Sequence, residues 1–339
     1  GAELMRKRSI AVICAILFTF AALTACENKK SSSSDGEKTD NVSSAEHKLS
    51  NPNANAETVK TYDYLCSSFG KVILSCQQES TWMGSPDYEM KYIEEVTSKL
   101  PAMRGLDFMN NDFDGVVERS KAWHEKGGIV TICWHTGVNG SGYRESLDDD
   151  PDFDKLLTKG TDEYNAMISS WDRAADALAE LQDAGVAVLW RPFHEFDGKW
   201  FWWGKGGKDN FIKLWRQMYD YYTNEKGLNN LIWVLGYSGE VKKGWYPGDD
   251  YCDVIGSDTY DNNTNRKAWK KLKAMNTGKP LAFHECGNVP SVGEFEKDGA
   301  MWSWFMIWHT DHIMNNPQDN LKEVYNSEKV ITLDELPEL

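Results

Sequence analysis

From residue 60 onward, short apolar runs alternate with longer segments whose apolar residues recur at helical spacing, the pattern of successive β–α units around a parallel sheet. The apolar runs fall at residues 71–76, 103–109, 129–135, 186–195, 231–236, 253–260, 280–285 and 304–309. The helical segments fall at 88–100, 115–126, 161–183, 210–225, 267–275 and 317–325. In 161–183, Tyr164, Ile168, Trp171, Ala175, Leu178 and Leu181 make one stripe that faces a core. Eight strands is the number that closes a barrel, so the predicted fold is α/β, a single (β/α)8 TIM barrel over residues 59–339. A doubly wound sheet would need a glycine-rich loop after its first strand, and Leu74-Ser-Cys-Gln-Gln-Glu79 has no glycine.

The first 58 residues do not follow that pattern. Arg6-Lys7-Arg8 precedes an apolar stretch from Ile10 to Leu23, too short for a comfortable bilayer span and closed by Leu23-Thr-Ala-Cys26. Residues 1–26 therefore look like a bacterial lipoprotein signal ending at Cys26, which implies lipid on that sulfur. Residues 27–58, rich in Ser, Lys, Glu and Asp, read as a flexible tether. The expected product is an exported cell-envelope lipoprotein that meets the membrane only through its anchor.

Composition narrows the partners. With 339 residues, 41% hydrophobic and 12% aromatic, the chain can bury a large core. A formal charge of −15 excludes nucleic acid and anionic membrane surface, both of which need a basic footprint. The 15 Trp are in excess of what filling a core requires, and Trp is also the best surface on which to stack the apolar face of a sugar ring. Beyond Cys26, Cys66, Cys76, Cys133, Cys252 and Cys286 are odd in number and show no CxxC spacing; they read as small buried hydrophobes rather than nucleophiles. A monomer without cofactor is expected.

The chemistry collects at strand ends: Gln77, Asp107, His135, His194, Glu195, Asp258, Tyr260, His284, Glu285 and His309. In a (β/α)8 barrel those ends converge on one face. Two apolar runs end in Phe-His-Glu, at Glu195 and at Glu285, and the first is followed by Trp200-Phe-Trp-Trp203. Glycosidic hydrolysis needs such a pair, one carboxyl kept protonated by apolar surroundings and one kept ionised by donors and positive charge. Glu195, among aromatic rings, suits the acid; Tyr260 and Arg191 are candidates to hold Glu285. A lone strand-end Glu is more often structural, but two in matching contexts beside an aromatic cluster reverse that preference. The histidines and glutamates could instead gather around zinc, which would leave the Trp cluster without a role.

The segment Trp190-Arg-Pro-Phe-His-Glu-Phe-Asp-Gly-Lys-Trp-Phe-Trp-Trp-Gly204 resembles the acid/base motif of family 26 glycoside hydrolases, mostly endo-β-1,4-mannanases. Further likeness lies at Lys71–Gln78, Trp134-His135-Thr136, Gly256-Ser-Asp-Thr-Tyr260, Phe283-His-Glu-Cys-Gly287 and Trp304–Trp308, together spanning roughly residues 60–335. The resemblance implies a retaining mechanism with Glu195 as acid/base and Glu285 as nucleophile. It also implies that His135 and His194 line the subsite of cleavage, that Tyr260 bonds the nucleophile, and that Trp200 and Trp308 border the sugar. His309 stands where some members carry an arginine. The implied substrate is β-mannan, cut internally; the same pair also serves β-1,3-xylanases and mixed-linkage β-glucanases. A surface sugar-binding lipoprotein without activity is the remaining reading, opposed by the joint presence of both glutamates and Tyr260.

Overall fold

The computed structural model describes residues 47–339. Eight parallel strands follow one another around the sheet: β1 (Ile73–Gln78), β2 (Met103–Asp107), β3 (Ile129–Cys133), β4 (Val188–Arg191), β5 (Leu231–Tyr237), β6 (Val254–Thr259), β7 (Leu281–Cys286) and β8 (Trp304–Ile307). β1 pairs with β2 on one side and β8 on the other, so the sheet closes into the expected (β/α)8 barrel. A ninth strand, β9 (Val330–Ile331), pairs with Ile73 and Leu74; two residues carry no periodicity to read.

Side chains from the strands divide between two cores, because successive residues of a strand point to opposite faces. Leu74, Cys76, Met103, Leu189, Val234, Val254, Trp304 and Met306 belong to one cluster, which fills the barrel. Ile73, Leu106, Ile132, Trp190, Trp233, Leu235, Phe283 and Phe305 belong to the other, shared with the outer helices. The helix Asp162–Asp183 buries Met167, Trp171, Ala175, Leu178 and Leu181 there, close to the expected stripe, and Thr161 caps it by accepting a bond from Tyr164 N.

Several boundaries depart from expectation, three of them near the site or the start of the fold. β4 stops at Arg191 rather than running to Glu195, because Pro192 has no N–H to give and Phe193 and Glu195 then take positive φ of 51° and 54°. β8 likewise ends at Ile307, before Trp308. The last residues assigned to the tether belong to the fold. Leu49 and Asn51 are buried, Ser50 N donates to Asp253 Oδ1 at 2.6 Å, and the helix Ala56–Ser68 lays Tyr62 and Leu65 into the barrel cluster. Their polar neighbours masked this in the sequence.

The signal segment, Cys26 and the tether as far as residue 46 lie outside the described residues. Among the described residues no helix is long and apolar enough to cross a membrane. Cys66, Cys76, Cys133, Cys252 and Cys286 are all free, and all but Cys66 are buried.

Candidate active site

The turn after β4 builds one half of the site. Leaving the strand through two left-handed residues costs strain of order 1–3 kcal/mol each, and its neighbours hold it in place. Glu195 N donates to Gly236 O at 2.7 Å, and the Asp197 carboxyl accepts from Ser238 N at 2.7 Å and Lys242 N at 3.0 Å. Of the aromatic run, Trp202 and Trp203 are core: their indoles donate to Thr136 O and His194 O, and Phe201 is buried beside them. Only Trp200 is exposed, at 43%, and its Nε1 donates to Glu195 Oε2 at 2.9 Å. The cluster expected to stack on sugar is thus reduced to one ring there.

Glu285, 2% exposed, is held by donors on both oxygens. Arg191 Nη1 lies 3.2 Å from Oε1, and Tyr260 Oη donates to Oε2 at 3.0 Å. Arg191 is itself fully buried, donating to Thr131 Oγ1 at 3.0 Å, Gln78 Oε1 at 3.2 Å and His284 Nε2 at 3.0 Å. A guanidinium can only donate, so Nε2 of His284 accepts and its Nδ1 carries the proton toward Asp258 Oδ1, 2.5 Å away. Burial and then the Arg191 charge push the His284 pKa down to about 3, in keeping with that neutral tautomer. The ring has room because β5 and β6 present Gly236 and Gly256 to it; a Cβ at Gly236 would stand 2.6 Å from His284 Cε1.

Glu195 is in the opposite condition. Burial first, then the charges of Asp258 and Glu285, push its carboxyl well above the ordinary range, outweighing the Trp200 bond. Asp258 is raised too, by burial and then by the charge of Glu285. A carboxyl whose folded pKa is raised favours the native state when protonated, a contribution complete below the unfolded value and lost as pH rises through the folded one. Glu195→Gln cannot ionise. Its melting temperature is expected to exceed that of the native chain at pH 8, with the gap closing near pH 4. A gap of the same size at both pH values in calorimetry would contradict this arrangement.

His135 and His194 stand edge to face, ring centres 4.5 Å apart. Burial alone would lower His135, but Asp107 Oδ2, 2.6 Å from Nδ1, outweighs it and the pKa is raised. His194 is pushed well below its usual value by burial first and then by the charges of His135 and Arg191; its Nε2 is 3.8 Å from Glu285 Oε1. Trp308 lies 6.1 Å from the His135 ring. A cleft of about 470 Å³, lined by Gln78, Trp82, Asp107, His135, Trp308 and His309 among others, adjoins the two glutamates through His135 and Trp308 without including them.

The structure thus brings all the expected residues to one place: Arg191, His194 and Tyr260 around Glu285, His135 with Trp308 beside them, and Glu195 with Trp200 attached to it. Sequence reasoning missed the supporting roles of Gln78, Asp107, Asp258 and His284, although three of these were strand-end polar residues of the kind that marked the others. The zinc alternative meets a specific obstacle. Asp258, His284 and Glu285 have atoms close enough to share an ion, but the Arg191 guanidinium occupies the space facing His284 Nε2 and Glu285 Oε1 and would repel it. The other group, Asp107, Cys133 and His135, is a hydrogen-bonded His–Asp pair beside a thiol that burial raises well above its usual pKa.

A closed (β/α)8 barrel that carries two glutamates in different hydrogen-bonding surroundings, and exposed indoles at its strand ends, is the architecture of a glycoside-cleaving enzyme class. The chain belongs to glycosyl hydrolase family 26, whose pattern it matches over residues 50–335. It is 36% identical over 315 residues to a mannan endo-1,4-beta-mannosidase of Thermothelomyces thermophilus, covering 85% of this chain and 63% of that one. Mannan endo-1,4-beta-mannosidase B of Piromyces sp is 32% identical, over 85% of this chain and 53% of its own length. The chain therefore spans between about half and two thirds of these curated relatives. Among solved structures, a beta-mannanase from a symbiotic protist of the termite Reticulitermes speratus, complexed with gluco-manno-oligosaccharide, superposes with a TM-score of 0.79 at 34% identity. That match covers 86% of this chain and 98% of the other.

Proposed function

We propose that this protein is a retaining endo-acting glycoside hydrolase that cleaves β-1,4-mannosidic bonds in mannan, galactomannan or glucomannan. The observation that carries the reading is the contrast between the two glutamates: Glu285 takes hydrogen bonds from Arg191 and Tyr260, while Glu195 is raised by burial. In the first step a Glu285 oxygen attacks the anomeric carbon as the glycosidic C–O bond breaks, and Glu195 gives its proton to the departing oxygen. Water then attacks the glycosyl–Glu285 ester; Glu195 takes the water's proton, and the sugar leaves with its original anomeric configuration. This double displacement calls for carboxyls about 5–5.5 Å apart. Mannan as substrate rests on the names of the relatives and the oligosaccharide in the termite-protist enzyme.

Reducing-sugar release from galactomannan, glucomannan, β-1,3-xylan and barley β-glucan tests the substrate. Release confined to the two mannans is the expected result. Cleavage of xylan or β-glucan instead would keep the mechanism and overturn the sugar.

We further propose that the enzyme acts from a cell envelope, tethered through Cys26. Basic residues, an apolar stretch and Leu23-Thr-Ala-Cys26 support this reading. In a bacterial host, Cys26→Ser is expected to abolish labelling by radioactive fatty acid and release activity from the membrane fraction; label persisting in the variant would contradict it.

A further inference from the structure

One wall of the cleft is made by two chain segments that no strand pairing joins. The first follows β1 and carries Trp82 and Met83, exposed at 51% and 39%. The second follows β8 and carries Trp308, His309 and Thr310. The rings meet across the gap: Trp82 stands edge-on to His309 with centres 4.8 Å apart, and His309 lies 4.8 Å from Trp308. Exposed aromatic surface of this kind marks a binding face.

Beneath it sits Glu89, in the first turn of the helix Tyr88–Thr97 and fully buried. Among the described residues it has no cationic partner. Its two oxygens are used on backbone instead: Oε2 accepts from Ser80 N at 3.0 Å, and Oε1 accepts from Thr310 N at 2.9 Å. One side chain thus joins the β1 segment to the β8 segment. The second bond falls on a strained residue. Thr310 has φ 52° and ψ −121°, the conformation of the first central position of a type II′ turn, where glycine is the natural occupant. His312 N donates to His309 O at 3.3 Å, completing that turn. From the other side, Arg104 holds the base of the first segment through Glu79, Asp87 and Pro86 O. An unpaired buried carboxyl is expensive to keep unless its bonds are needed.

We infer that Glu89 is a positioning residue: it straps the Trp82 and His309 segments together and so sets the wall that receives sugar units beyond the cleaved bond. The inference rests on the glycan-hydrolase reading above and adds to it a determinant of affinity for longer chains. In Glu89→Gln one strap meets an NH2 group in place of an oxygen, so one backbone N–H loses its acceptor.

The test compares wild type, Glu89→Gln, Trp82→Ala and the double variant Glu89→Gln/Thr310→Gly, by kinetics on mannohexaose and by amide hydrogen exchange without substrate. Glu89→Gln is expected to raise KM about tenfold with kcat within about twofold, and to speed exchange at residues 80–84 and 309–312. Trp82→Ala, at an exposed tip that leaves the core intact, is expected to raise KM in the same way. Glycine at 310 adopts the turn without strain, so the double variant should recover much of the lost affinity. Unchanged exchange in both segments, or a fall in kcat equal to the rise in KM, would overturn the strap. A wild type inactive on mannohexaose would overturn the substrate reading alone, since the exchange result stands without it.

Discussion

Replacing Glu285 with alanine is expected to lower kcat on mannan by at least about 10⁴-fold, because no other group can form the glycosyl ester and the two-step route closes. The barrel should survive: the change removes a carboxyl from beside Arg191 and leaves that guanidinium its bonds to Thr131, Gln78 and His284. Glu195→Ala is expected to behave differently, and the difference separates the roles. Loss of a general acid costs about 10²–10⁴-fold on a natural substrate. With a dinitrophenyl β-mannoside the leaving group departs without a proton, so the first step should proceed in Glu195→Ala and the glycosyl-enzyme should accumulate. Steady-state rates on mannan beside the release of dinitrophenolate in the first turnover distinguish the two variants. Equal losses for both variants on both substrates would contradict the assignment.

The second large effect is expected at Arg191. It is fully buried and joins β4 to β1, β3 and β7 through Gln78, Thr131, His284 and Glu285. Arg191→Met keeps most of the volume but leaves Glu285 as a buried carboxyl without its cation. Removing one partner of a buried ion pair costs about 3–5 kcal/mol, so denaturant unfolding should show a loss of that order. A variant with native stability would mean that the guanidinium and carboxylate are not coupled as their 3.2 Å separation indicates.

The barrel was legible because its strands are short, largely apolar runs that alternate with segments of helical periodicity, a signal that survives without knowing any partner strand. The two glutamates were legible for a related reason: each ends such a run after Phe-His. The sequence did not disclose how the run containing Glu195 ends. Pro192 could be read as a break, but the positive φ at Phe193 and Glu195 comes from tertiary bonds such as Glu195 N to Gly236 O. The same limit explains why Trp200, Trp202 and Trp203 looked alike. Their indole donors go to Glu195, Thr136 O and His194 O respectively, and only the fold decides which ring is left facing solvent. Asp258 and His284 were visible as polar strand ends, but their relay to Arg191 depends on Gly236 and Gly256 making space on neighbouring strands. Residues 49–58 were misplaced because Leu49 is the lone large apolar residue among polar ones, and its burial depends on a barrel end formed by distant parts of the chain.

The central claim is that Glu285 becomes covalently bonded to the sugar. Incubation with a 2-deoxy-2-fluoro-β-mannosyl fluoride tests it directly, since fluorine at C2 slows both steps while the fluoride leaving group lets the first proceed. Mass spectrometry of the digested protein should find one fluoromannosyl addition, on the peptide that contains Glu285, with activity lost in proportion. An addition on Glu195 or another residue, or full inactivation with Glu285 unmodified, would contradict the account.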